Sequence, residues 1–172
     1  LTGLYPFQHG VRENAGFVLD GSTTTLATLL HDAGYATAAF VAAFPLHPRY
    51  GLTRGFDSYD DRYPLGSQGA SFTIAERRGD EVVAAARSWW LGARGKPRFL
   101  WLHLYDPHAG YEPPEPFATR YRSNPYLGEI AATDSYLAPL LLPHLEGKEP
   151  PALVVVTADH GEALGDHAEP TD

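Results

Sequence analysis

The densest group of side chains able to do chemistry lies in residues 150–172, PPALVVVTADHGEALGDHAEPTD, which carry Asp159, His160, Gly161, Glu162, Asp166 and His167. Carboxylate oxygens beside imidazole nitrogens suit a divalent cation: Zn²⁺ or Mn²⁺, or Ca²⁺ where more carboxylates join. Gly161 is expected to let the backbone turn sharply, so that Asp159 and His160 face one ion. An Asp-His pair alone is more often a turn closed by an Asx-type hydrogen bond, so the pair has to be read in its setting. The element that must position it is the run just before it. Residues 152–157, Val-rich and preceded by two prolines, read as a strand covered on both faces, the kind found in parallel α/β sheets. In open sheets of that kind ligands bind beyond the carboxyl ends of the strands, where Asp159 and His160 fall.

A second strand followed by a polar loop lies upstream. Residues 98–105, RFLWLHLY, are an apolar run that gives way to DPHAGYEPPEPF. Asp106-Pro107 is a common turn opening, and a histidine in the place of His108 can serve merely to cap it. His103 alternates with Leu102 and Leu104 and reads as a structural histidine of the strand. A third strand is expected over residues 35–44, YATAAFVAAF, after a helix over 22–33 with hydroxyls at 23–25, a stripe of Leu26, Leu29 and Leu30, and Gly34 at its end.

Helix, glycine and apolar run form half of a βαβ unit, which predicts a three-layer α/β/α sandwich with strands near 35, 98 and 152 in one mainly parallel sheet. Residues 74–93 carry Val82, Val83, Ala86, Trp89 and Trp90 at helical spacing, and predict an amphipathic helix whose tryptophans belong to the core. Phe56 and Tyr59 are expected to plug the core, whereas Asp57, Asp60 and Asp61 read as turn and surface groups. Residues 63–70 read as loop, and residues 1–14 as a helix end broken by Gly3, Pro6 and Gly10. Residues 124–145 predict a helix that kinks or breaks at Pro139 and Pro143, with Glu129 and Asp134 on its surface.

Composition bounds the rest. At 172 residues, 44% hydrophobic and 20% charged, the chain is long enough for one domain with a real core, so 1–172 is expected to be a single domain. A net charge of −8 with no clustered Lys or Arg argues against nucleic-acid or anionic-membrane surfaces. The absence of cysteine removes disulfides, thiolate metal sites and a Cys nucleophile from these residues, and leaves the compartment open. No run of eighteen apolar residues is present that could span a membrane.

TADHGEALGDH is similar to the C-terminal metal motif of the sulfatase group in the alkaline-phosphatase superfamily. Three further stretches resemble that group in the same order: LTG with the Pro-x-x-x-Gly turn near the start, GLTRGFDSYDD, and DPHAGYEPP followed by NPYLGEI. The resemblance implies that Asp159 and His160 bind a divalent metal, with Ca, Zn and Mn not distinguished, and that His108 contacts the sulfate or phosphate of the substrate as the catalytic residue. Arg12 and Asn14 could reach the pocket from the loop near the start, although an exposed Arg is usually only a solvated charge. The resemblance also implies that the nucleophile and a first metal-binding Asp precede Leu1, so the chain reads as an internal piece of a longer protein.

The implied activity is metal-dependent hydrolysis of small-molecule sulfate esters. Phosphatase, phosphodiesterase or phosphoryl-transfer chemistry of the same superfamily is the alternative, and a non-catalytic binding domain with a degenerate site is the alternative of a different class. His160 must be neutral to ligate, so metal binding is expected to weaken in acid. With nucleophile and one ligand expected outside it, the 172-residue chain alone should hydrolyse neither aryl sulfates nor aryl phosphates. A chromogenic assay with added divalent metal checks this, and metal-dependent turnover by the chain would overturn it.

Overall fold

The computed structural model describes residues 1–13, 16–62, 76–108, 110–162 and 164. Asn14, the loop expected over 63–70, Ile74, Ala75, Asp166 and His167 therefore lie outside the described residues. The chain divides into two compact units, Leu1–Tyr105 and Asp106–Asp172.

The first unit is organised by a parallel sheet of three strands in the order β2, β1, β3. Strand β1 (Ala36–Phe40) pairs in parallel with β2 (Ser58–Asp60) on one side and with β3 (Arg98–Leu102) on the other. As the central strand it has Thr37, Ala38 and Ala39 sealed from solvent at 0% exposure, which is why small apolar residues fill it. Alternation along the strands assigns the faces. Ala38, Phe40, Ala42, Leu100 and Leu102 gather with Val82, Ala86 and Trp89 from helix α3 (Gly79–Gly92). On the other face Phe99 and Trp101 stack on Phe56. Burial of the whole Val82 side chain contributes about 1.5–3 kcal/mol on that first face.

Two short helices precede the sheet. In α1 (Pro6–His9), Pro6 occupies the first turn, where its missing N–H costs nothing, and Gly10 closes the end; Pro6 starts a helix rather than breaking one. In α2 (Leu26–Asp32), Thr25 is the N-cap: its hydroxyl accepts from Thr28 N at 3.1 Å, and Thr28 Oγ1 accepts from Thr25 N at 2.9 Å. Helix α2 packs on β1, and Gly55 packs directly against the backbone of Ala27 and Thr28. Helices thus flank a parallel sheet, the α/β sandwich expected from the sequence.

Several expectations change. Strand β1 ends at Phe40, with Val41 and Ala42 buried in irregular backbone and Ala43 buried in an isolated antiparallel bridge to Glu76. Helix α3 begins at Gly79, five residues later than expected, because Arg77 turns inward: it is 8% exposed, and its Nη1 donates to Asp60 at 3.1 Å. Asp60 is therefore a partly buried ion-pair member of β2, while Asp57 accepts from Thr37 N at 2.8 Å and Oγ1 at 3.1 Å. His103 is structural as expected, its Nδ1 accepting from Ala42 N at 3.4 Å.

The largest difference concerns residues 152–157, which form no strand and pair with nothing among the described residues. Leu153 is 94% exposed, and Val155 and Val156 are each 78% exposed. Strand identity comes from a partner's hydrogen bonds as well as from composition, and here only the composition is present. The second unit is instead built on α4 (Phe117–Arg120) and α5 (Pro125–Leu145). Asn124 caps α5, accepting from Leu127 N at 3.2 Å, and the helix runs on through Pro139 and Pro143 instead of ending there. Glu129 is buried at 8% exposure, contrary to the surface position expected for it. No helix of the described residues is long and apolar enough to cross a membrane.

Gly55 has φ +85°, and a Cβ there would stand 2.3 Å from Thr28 N, so Gly55→Ala meets both backbone strain and an immovable neighbour. A loss of about 3 kcal/mol in urea unfolding is the expected outcome. The carboxyl of Asp60 is held below the usual range by the Arg62 hydrogen bond and by Arg77, and that of Asp57 by the Thr37 N–H. Depressed carboxylates stabilise the fold above their unfolded pKa, near 3.8, and that stability is lost as pH falls through the folded values. Unfolding free energy should therefore drop below about pH 4, and Asp60→Asn should flatten the drop when stability is followed against pH.

Candidate functional site

The Asp-His turn and the DPH loop both lie in the second unit. Asp159 Oδ1 accepts from His160 N at 3.1 Å, a bond to the very next residue rather than the two-residue reach of an Asx turn. His160 Nδ1 stands 2.8 Å from the Gly161 carbonyl. A carbonyl only accepts, so Nδ1 carries the proton, and the neutral ring presents its lone pair at Nε2. Nε2 lies 3.9 Å from Asp159 Oδ2, with the two side chains 67% and 93% exposed. Imidazole nitrogen and carboxylate oxygen are therefore side by side and open to solvent. Gly161 has no positive φ, so the turn does not use the freedom expected of it.

These donors fit a divalent cation in type: a neutral imidazole with a free Nε2 and a carboxylate with a free Oδ2. Two donors are an incomplete set, and among the described residues no group of three or more His, Asp or Glu is placed to hold a metal. The Gly161 carbonyl, then Asp159, and more weakly Glu162, raise the pKa of His160 above the ordinary imidazole value. The same neighbours that favour a cation at Nε2 thus favour a proton there.

His108 is exposed at the start of its loop. The residues after it are firmly held. Glu112 N donates to Glu129 Oε1 of α5 at 2.7 Å, and Tyr111 meets Tyr126 edge-on at 5.4 Å. Burial, then the Glu162 carboxylate beside it, push the Tyr111 phenol up to about 12. Glu162 belongs to the acidic cluster picked out in the sequence, and Tyr111 and Glu129 stand within the family-like stretches, but nothing in the sequence shows that they are buried; Glu129 is an acid on a helix, and only its partner 17 residues away shows that it points inward. Arg12 lies in the first unit, as does an open depression lined by Phe40, Tyr59, Asp60, Arg62 and Trp89, whose carboxylate is already taken by two arginines.

The chain belongs to the sulfatase family: the family profile, described as Sulfatase, matches residues 1–172. Its fold is shared with several solved structures. It is similar to the phosphonate monoester hydrolase of Silicibacter pomeroyi, at 21% identity and a TM-score of 0.66 over 98% of this chain and 53% of that one. It is also similar to the phosphonate monoester hydrolase of Agrobacterium radiobacter, at 17% identity and a TM-score of 0.59 over 85% and 48%. A third protein, solved in complex with its substrate D-glucosamine-2-N,6-O-disulfate, matches at 21% identity and a TM-score of 0.52 over 72% and 26%. The chain thus spans about half or less of the length of these solved structures. No curated protein matched the sequence.

Proposed function

We propose that this chain is part of the catalytic domain of a metal-dependent hydrolase acting on small-molecule sulfate esters. The observation that carries this is the match to the sulfatase family along 1–172, which includes both the DPH loop and the DHG turn. Asp159 and His160 would hold a divalent cation through the carboxylate and Nε2, joined by ligands beyond these two. When bound, such a cation supplies positive charge against the ester oxygens as the bond to the leaving group breaks.

The chain's own contribution is binding and proton handling. His108, exposed and on a loop anchored to α5, donates a hydrogen bond to a non-bridging oxygen, or a proton to the departing alkoxide or phenoxide. The Gly161 carbonyl fixes the His160 tautomer, so that ring is not available to shuttle protons at Nδ1. Two of the structural relatives are phosphonate monoester hydrolases, and this favours phosphorus esters as the second reading.

The test uses the protein as it occurs, with aryl sulfate, aryl phosphate and aryl phosphonate monoester offered in parallel. Asp159→Ala should abolish metal-dependent turnover and lower bound metal, because a ligand is lost. His108→Ala should leave bound metal unchanged and cut kcat roughly 100-fold or more. Unchanged metal content and rate in Asp159→Ala would refute the site. Turnover confined to the phosphorus esters would refute the sulfate assignment alone.

A further inference from the structure

Glu162 follows the Asp159–His160 pair by two residues, and the direction of its side chain ties the metal turn to the rest of its unit. Its Oε2 is sealed from solvent, as is the hydroxyl oxygen of Tyr111, and neither makes a hydrogen bond of good geometry among the described residues. The two groups are nonetheless neighbours: the carboxylate lies close enough to the phenol to oppose its ionisation and close enough to His160 to favour its charge. Two buried oxygens on neighbouring groups, each cut off from solvent, impose a demand, since leaving both unsatisfied costs more than ordering one O–H···O⁻ bond between them. Only the phenol has a proton to give.

Tyr111 is itself held from behind. Its ring meets Tyr126 of α5, the next residue's N–H reaches Glu129 of α5, and Pro113 packs on Gly128, where a Cβ would stand 2.8 Å from Pro113 Cγ. Ring, amide and proline form three successive contacts between one short segment and one helix. The segment begins three residues after His108.

We propose that Tyr111 is a positioning residue, whose hydroxyl receives Glu162 and so fixes the Asp159–His160 turn against the loop that carries His108. This rests on Asp159 and His160 acting as metal ligands. Tyr111 touches neither metal nor substrate. It acts by holding the ligand turn in one place, so that the ligands need not be ordered anew each time a cation binds. Groups that orient metal ligands from outside typically change affinity by roughly 10–100-fold when removed.

The experiment measures Mn²⁺ binding by calorimetry and amide hydrogen exchange at His160 and Gly161 in the full protein. Tyr111→Phe keeps the ring and its packing on Tyr126 but removes the hydroxyl. It should weaken Mn²⁺ by about tenfold and speed exchange in the turn. Glu162→Ala should match it, Glu162→Gln should restore most of the affinity because its amide oxygen still accepts, and the Tyr111→Phe/Glu162→Ala double variant should be no worse than either single one. Wild-type Mn²⁺ affinity and exchange in Tyr111→Phe would overturn the proposal, as would single effects that multiply in the double variant. Asp159→Ala separates the two levels. If it loses Mn²⁺ while Tyr111→Phe does not, the positioning role alone falls. If Asp159→Ala binds like wild type, the metal reading falls and takes the positioning role with it.

Discussion

A central parallel strand can be buried only if every one of its backbone groups finds a partner on both sides, and much of the first unit results from meeting that condition for β1 (Ala36–Phe40). On one side β3 supplies the register Ala36 to Arg98 through Phe40 to Leu102. On the other side only three residues of β2 are available, and side chains complete the job. Asp57 takes the Thr37 N–H, and Thr37 Oγ1 in turn accepts from Asp57 N at 2.9 Å. Thr37 is fully buried, so this reciprocal pair replaces a ladder bond that β2 is too short to make. The same economy holds at the other end, where His103 N donates to Phe40 O at 2.9 Å just past the end of β3.

What the sequence reveals divides along that line. Apolar runs and local caps are written in consecutive residues, so β1, β3 and α2 are legible from YATAAF, RFLWL and the threonines before Leu26. Polar residues buried by distant partners are not. Asp60 and Glu129 look like surface acids until Arg77 and Glu112, each 17 residues away in sequence, are seen to meet them. Strand β2, Ser-Tyr-Asp, carries almost no apolar signal because it borrows its burial from β1. The opposite error arises at 152–157, where a β-branched run has the composition of a strand although its side chains lie exposed. Composition shows what could pair, not that a partner edge is present.

The candidate site is legible in residue identity and opaque in support. Asp159, His160 and His108 stand out because carboxylate, imidazole, glycine and proline cluster at the ends of apolar runs. The residues behind them, Tyr111, Glu129 and Glu162, stand in the same stretches, but their sequence setting does not show that they are buried or what they meet. One is an aromatic in a proline-rich loop, one an acid at helical spacing, and one an acid next to a glycine.

The division of labour between those two groups comes from solvation. Donors that exchange a cation have to meet solvent, and the open faces of Asp159 and His160 suit that task. Open side chains, however, are free to move, and ordering a rotamer-rich group costs of the order of 1 kcal/mol that binding must offset. Stiffness therefore has to come from the buried side. There a sealed carboxylate-phenol neighbour pair, backed by a helix that holds the phenol through ring packing and the next amide through Glu129, would restrain the turn and leave the proposed ligand positions open. A turn stabilised only by the Asp159–His160 contact would leave Asp159 Oδ1 committed to the His160 amide while Glu162 swung free. With Glu162 docked, the turn can surrender that local contact to a cation and still keep its place.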